Sequence, residues 1–166
     1  MNEILQVENK ILRLRSEAVA GEQIKSAKIS KLLELMQRLL DASPDGVALA
    51  APQVGRNVRI FIISPKAFGD HAPIGEHLVY INPVVTRLSA KKIECDEGCL
   101  SVRNVYGRIK RHEKVTVEAF DERGNRFIRG ASGLLAEIFQ HEIDHLDGIL
   151  FIDNAKDLRE VKPNHE

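Results

Sequence analysis

The stretch Gln140–Phe151 reads QHEIDHLDGILF, with His141 and His145 four residues apart and Glu142 directly after the first histidine. On a helix each residue turns by roughly 100°, so the two histidines fall about 40° apart on one face, one turn from each other. Both imidazoles then reach a single metal ion. Glu142 stands beside that face, where a base acting on water at the ion belongs. A third ligand decides the class of chemistry. The protease pattern HExxHxxGxxH is followed through Gly148 and then broken by Phe151, where its last histidine belongs. A glutamate further downstream would be the other protease solution, but only Glu160 and Glu166 follow, both in a polar segment. Upstream, the stretch ECDEGCLSV offers a cysteine thiolate. A thiolate joined to two histidines gives three protein ligands with a position left open for water, an arrangement suited to hydrolysis.

The elements that must position these groups are legible in part. In AKISKLLELMQRLLDASPDG, Ile29, Leu32, Leu33, Met36, Leu39 and Leu40 recur at helical spacing, and the run Ser43, Pro44, Asp45, Gly46 predicts a stop near Ala42. VRIFIIS from Val58 and HLVYINPVV from His77 read as strands, with Pro83 confining the second to an edge or an end. EKVTVEAF and NRFIRG flank Asp121, Glu122, Arg123 and Gly124, which predicts a hairpin. Ser132 then offers an N-cap for a helix through about Leu146, with Leu134, Ile138, His141 and His145 along one stripe. This order predicts an α+β fold: short antiparallel strands packed around a central C-terminal metal-binding helix, with an amphipathic helix near the N-terminus.

Composition narrows the class further. A chain of 166 residues, 43% hydrophobic, fits one catalytic domain over 1–166 with a short polar tail from about 153. Lys+Arg and Asp+Glu balance at 24 each, which argues against direct nucleic-acid or membrane binding through bulk charge. The opening MNEILQVENKILRLRS lacks the apolar core of a secretory leader, so a cytoplasmic protein is expected; a monomer is expected as well. Two cysteines, Cys95 and Cys99, exclude a disulfide framework and suit a reducing compartment.

Three motifs occur in order: GVALAAPQVG from Gly46 to Gly55, EGCLS from Glu97, and QHEIDHLDG from Gln140. Together they resemble the peptide deformylase family, whose GxGxAAPQ, EGCLS and QHExDHLxG motifs they match nearly intact, from the ILQV near the start to HLDGILF. The resemblance implies that Cys99, His141 and His145 hold a divalent metal ion, Fe2+ in the cell, with Zn2+, Ni2+ or Co2+ able to replace it. It also implies that Glu142 moves protons, while the Gln53 amide and the Leu100 backbone N–H stabilise an oxyanion. The implied reaction is removal of the N-formyl group from N-formylmethionyl nascent chains leaving the ribosome, with release of formate.

The same resemblance places Gly46, Val47 and Ala48 along the substrate backbone, and Arg111 either near the peptide or as a solvated charge. Leu134 and Ile138 either pack in the core or line a pocket for the first side chain. Cys95 matches nothing in the motifs and reads as a bystander thiol, with a redox partner for Cys99 as the alternative. Ala48 stands where the family usually has glycine, and the family's long C-terminal helix has little counterpart in IDNAKDLREVKPNHE, so ribosome contacts made by such a tail do not carry over. An HExxH metallopeptidase and an inactive peptide-binding paralogue are the competing readings.

Overall fold

A computed structural model describes residues 3–70 and 78–162. Helix α1, Ala27–Asp41, starts at Ser26, whose side chain accepts from the Ile29 N–H, and ends at Ala42 as the turn-forming run predicts. Strands β1 (Ala48–Ala50), β2 (Ile60–Ile63), β3 (Val79–Leu88), β6 (Lys114–Phe120) and β7 (Arg126–Ser132) form an antiparallel sheet in the order β1-β2-β3-β6-β7. Strands β4 (Lys92–Cys99), β5 (Val102–His112) and β8 (Lys156–Glu160) form a second sheet in the order β4-β5-β8. Helix α2, Gly133–Leu146, lies between the two sheets. The α+β expectation holds, although β3 and β5 are long strands of 10 and 11 residues.

Strand β2 explains why the larger sheet is buried on both sides. Its side chains alternate, so Ile60 and Ile62 pack with Ile29, Leu32, Met36 and Leu40 of α1. Phe61 and Ile63 point the other way and pack with Ala136, Ile138, Phe139 and Leu146 of α2. A third cluster, with Leu12, Val102, Ile109, Leu150 and Phe151, fills the space behind the β4–β5 hairpin. The layers are therefore α1, five-stranded sheet, α2 and three-stranded sheet, with α2 central.

Two sequence expectations need correction. Pro83 lies inside β3, which is flanked on both sides by β2 and β6, and not at an edge or an end. A register shift between Ile81 and Val84 takes the proline out of the ladder, and Asn82 adopts a positive φ of 51°. Asn82 also ties the irregular turn down: its Oδ1 accepts from the Val19 N–H and its Nδ2 donates to the Val19 carbonyl, both at 2.8 Å. His77, where this strand was expected to begin, lies outside the described residues.

The second correction concerns the polar segment after Asp153, which was expected to be a tail. Residues Lys156–Glu160 pair with β5 as β8, and ion pairs from Arg159 to Asp96 and from Arg108 to Asp157 fasten it. Every β8 side chain is exposed, so no hydrophobic alternation marked it as a strand.

The turn after α2 is the tightest point near the metal motif. Gly148 has φ +76°, and a Cβ there would stand 2.6 Å from the Arg13 carbonyl oxygen; Gly124, at φ +82°, has nothing within 4 Å. Both positions penalise alanine by left-handed strain, about 1–2 kcal/mol, but only Gly148 adds a backbone clash of about 1–3 kcal/mol. In urea denaturation Gly148→Ala should therefore lose clearly more stability than Gly124→Ala. Equal losses would show that the Arg13–Leu14 segment yields without cost.

Candidate metal centre

Strand β4 supplies one wall of the site. Its buried face carries Cys95, Glu97 and Cys99, two residues apart, and α2 sets His141 and His145 opposite at a four-residue interval. Two strand residues advance about 6.7 Å and four helical residues about 6.0 Å, so the two elements pair side chain to side chain. His145 Nε2 lies 3.2 Å from Cys99 Sγ, and His141 Nδ1 lies 2.8 Å from Glu97 Oε2. Ligand atoms of Cys99, His141 and His145 all fall within 4.8 Å of one another, close enough to share one ion.

Around Cys99 the donors are arranged for a thiolate. The Ser101 N–H donates to Sγ at 3.4 Å, and Gln53 Nε2 approaches it at 3.7 Å. Gln53 is 1% exposed and locked: Nε2 donates to Ser101 Oγ at 3.0 Å and Oε1 accepts from the Ala50 N–H at 2.9 Å. Leu100 follows Cys99 in the wall of the cavity, and its carbonyl accepts from Gln6 Nε2.

Glu97 is the hub that sequence reasoning left without a role. Arg111 grips its carboxylate with Nε at 2.7 Å and Nη2 at 2.9 Å, and reaches Asp144 Oδ2 with Nη1 at 2.6 Å. Burial alone would raise the Glu97 pKa, but the hydrogen bonds from Arg111 and His141 overcome it and hold the group at about 2. An ionised carboxylate only accepts, so His141 Nδ1 must donate and Nε2 is left to face the ion. Arg111 is 7% exposed and grips two carboxylates, so it is not a solvated charge, and it is not among the residues that line the cavity. Its place in the sequence gave no sign of this, whereas Glu97 could have been found from its two-residue spacing to Cys99.

Glu142 is 4% exposed, and its Oε2 meets no hydrogen-bond donor among the described residues. Burial raises its pKa to about 7; positive charge at His141 opposes the rise and Glu97 adds to it. Burial opposes charge on His141 as well, yet the Cys99 and Glu97 contacts bring its pKa well above the ordinary value. The surroundings thus stabilise positive charge between Cys99 and His141, which fits a cation at the three ligand atoms. His145 is driven the other way by burial and by His141, which suits a neutral imidazole ligand.

The site opens on a cavity of about 440 Å³ lined by Gly46, Val47, Ala48, Leu134 and Ile138 together with Cys99, His141 and Glu142. Ile138 serves both roles weighed for it, since it packs in the core and lines the cavity, while Leu134 is 49% exposed at the rim. Ala48 is absent from the positions with positive φ, so β1 asks only ordinary backbone angles of it. Cys95 faces Glu137 rather than the ligand trio. Phe151, at the histidine position of the protease pattern, is buried with its ring against His141.

Residues 1–161 match the family model for polypeptide deformylase. A chloroplastic peptide deformylase 1B from Solanum lycopersicum is 39% identical over 154 residues, 93% of this chain and 53% of its own length. A peptide deformylase from Treponema pallidum is 45% identical over 116 residues, 69% of this chain. The matched region spans 65% of the Treponema protein, so both relatives extend well beyond it. Among solved structures, a peptide deformylase from Thermotoga maritima is similar at a TM-score of 0.82 and 31% identity, covering 94% of this chain and 98% of its own. With sequence match and fold agreeing over the three motifs and the elements that carry them, the chain belongs to the polypeptide deformylase family.

Proposed function

We propose that the protein is a metal-dependent hydrolase that removes the N-formyl group from N-formylmethionyl peptides and nascent chains in the cytoplasm. The observation that carries this reading is the gathering of Cys99, His141 and His145 around one point, with the unpartnered Glu142 carboxylate oxygen buried beside them. When bound there, a divalent ion would act as a Lewis acid on the formyl oxygen and lower the pKa of water; Fe2+ is the ion we propose, with Zn2+, Ni2+ or Co2+ as replacements.

The protein's own groups supply the rest. Glu142 takes the proton of the attacking water and returns it to the leaving amine, which cannot depart as an anion. The Gln53 amide and the Leu100 N–H stabilise the negative charge that develops on the formyl oxygen. Gln53 reaches that task already oriented, because Ala50 and Ser101 fix its amide plane. Arg111 acts at one remove as a positioning residue, holding Glu97 so that Glu97 can orient His141.

The peptide enters as an added strand. Among the described residues β1 and β4 are edge strands of their sheets, and both line the cavity, through Ala48 with the preceding Val47 on one side and Glu97, Gly98 and Cys99 on the other. An extended backbone laid between two such edges completes hydrogen bonds on both flanks. The first side chain then falls toward Leu134 and Ile138 of α2. A metallopeptidase would have drawn its third ligand from downstream of the helix, whereas the upstream Cys99 occupies that place.

Metal analysis of purified variants tests the ligand assignment. Cys99→Ala should lose stoichiometric metal while Cys95→Ser keeps it, and the reverse pattern would overturn the assignment. Formate release from formyl-Met-Ala tests the reaction. In Glu142→Ala, metal should be retained and formate release should drop by at least about 100-fold, the low end of general acid–base contributions. Loss of metal together with activity would make Glu142 structural, and cleavage inside unformylated peptides by the wild type would point to a peptidase instead.

A further inference from the structure

The ILQV stretch near the start, Ile4–Val7, contributes no group to the chemistry, yet it joins the two residues that face the developing oxyanion. The Leu5 N–H donates to the Gln53 carbonyl at 2.8 Å, and Gln6 Nε2 donates to the Leu100 carbonyl at 3.0 Å. Gln53 Nε2 closes the circuit on Ser101 Oγ at 3.0 Å. Leu5, Gln53, Ser101, Leu100 and Gln6 thus form one ring of hydrogen bonds and peptide links drawn from three segments distant in the chain. Gln6 is half-buried, and Nε2 also donates to the Ile4 carbonyl at 3.2 Å, so both hydrogens of its amide are engaged.

The turn between β4 and β5 consists of Leu100 and Ser101, and its own ladder supports it poorly. Pairing passes from Gly98↔Tyr106 directly to Cys99↔Val102, which leaves Arg103, Asn104 and Val105 outside the β4 register. Neither Leu100 nor Ser101 takes the positive φ that two-residue hairpin turns favour. The Leu100–Ser101 peptide is planar and trans, so its oxygen and its N–H point opposite ways and fixing one aims the other. Gln6 grips the oxygen, and the N–H donates to Cys99 Sγ at 3.4 Å. The Leu100 N–H belongs to the neighbouring peptide and meets this plane at the Leu100 Cα, so rotation of the turn would re-aim it.

We propose that Gln6 is a positioning residue of the deformylation reaction, an assignment that rests on the function proposed above. It holds the β4–β5 turn so that the Leu100 N–H and the Gln53 amide converge on one oxyanion. Gln6 itself is not among the residues that line the cavity, so it acts through Leu100 and touches no substrate. The two donors it aligns matter most when charge has built up on the formyl oxygen, so its loss falls on kcat rather than on KM.

Gln6→Met tests this, because it keeps the length of the side chain and removes both donors. With zinc-loaded protein and formyl-Met-Ala, kcat should fall about 10-fold or more while KM changes less than about twofold, the pattern of a lost orienting contact. Metal content should stay stoichiometric. Hydrogen exchange at the Ser101 N–H, followed by NMR, should speed up about 10-fold, the size of one lost hydrogen bond. A rise in KM at unchanged kcat would mean that the segment only shapes the cavity wall through Ile4, and overturns the assignment. Loss of metal from Gln6→Met overturns it as well, since the residue would then support ligation. Unchanged kcat in Gln6→Glu, which keeps the shape without the donors, does the same even if the methionine variant fails to fold. Absence of formate with the wild type overturns the reaction itself, and this assignment with it.

Discussion

The bidentate ion pair between Arg111 and Glu97 is the contact on which the site depends. Neither charge is tolerable alone at that depth: removing one partner of a buried pair typically costs about 3–5 kcal/mol, because the other is left uncompensated. Here the pair also joins three elements, since Arg111 comes from β5, Glu97 from β4, and both extend to α2 through Asp144 and His141. The small sheet and the helix are therefore locked in one register, which brings Cys99 to His145 one rung further along. A slip of β4 by one residue would turn Cys95, Glu97 and Cys99 away from the helix together.

This register explains why the hydrophobic core and the site do not compete for the same side chains. Helix α2 is buried on opposite flanks, with Ala136, Phe139 and Leu146 packing on the large sheet and Glu137, His141 and His145 facing β4. Apolar packing fixes the helix axis, and the polar rungs fix its rotation and position along that axis. Gln53 is held by the same logic from the opposite wall, where the turn after β1 ties its amide to Ala50 before any ligand is present.

Features with a strong local pattern were legible in the sequence. The leucine stripe and stop signal of α1, the hairpin around Asp121–Gly124 and the HExxH helix each follow from residues close in the chain. The β4–β5 hairpin was legible as a motif but not as a pair of strands, because the inward positions of β4 carry Cys95, Glu97 and Cys99. Hydrophobic alternation is thereby replaced by a polar stripe that only the facing helix makes sensible. The same cause hid Arg111, whose partners lie 14 and 33 residues away. Pro83 misled for a different reason: a bulge and the Asn82–Val19 hydrogen bonds rescue a central strand in a way that local propensity does not reveal.

The charge pattern around the ligands carries the argument one step further. Glu97, Glu137, Glu142 and Asp144 bring four carboxyl groups near one cysteine and two histidines, against the single guanidinium of Arg111. Burial raises the pKa of Glu137, Glu142 and Asp144, so each is held closer to its neutral form, while Glu97 alone is pressed firmly into the charged form by its two donors. Two donors thus hold in its charged form the one carboxylate that orients a ligand, while burial works against charge on the other three. That division follows from Arg111 serving Glu97 with two of its donors and Asp144 with one. An arginine displaced toward Asp144 would leave His141 as the remaining donor to Glu97, with burial working against the charge of the orienting carboxylate.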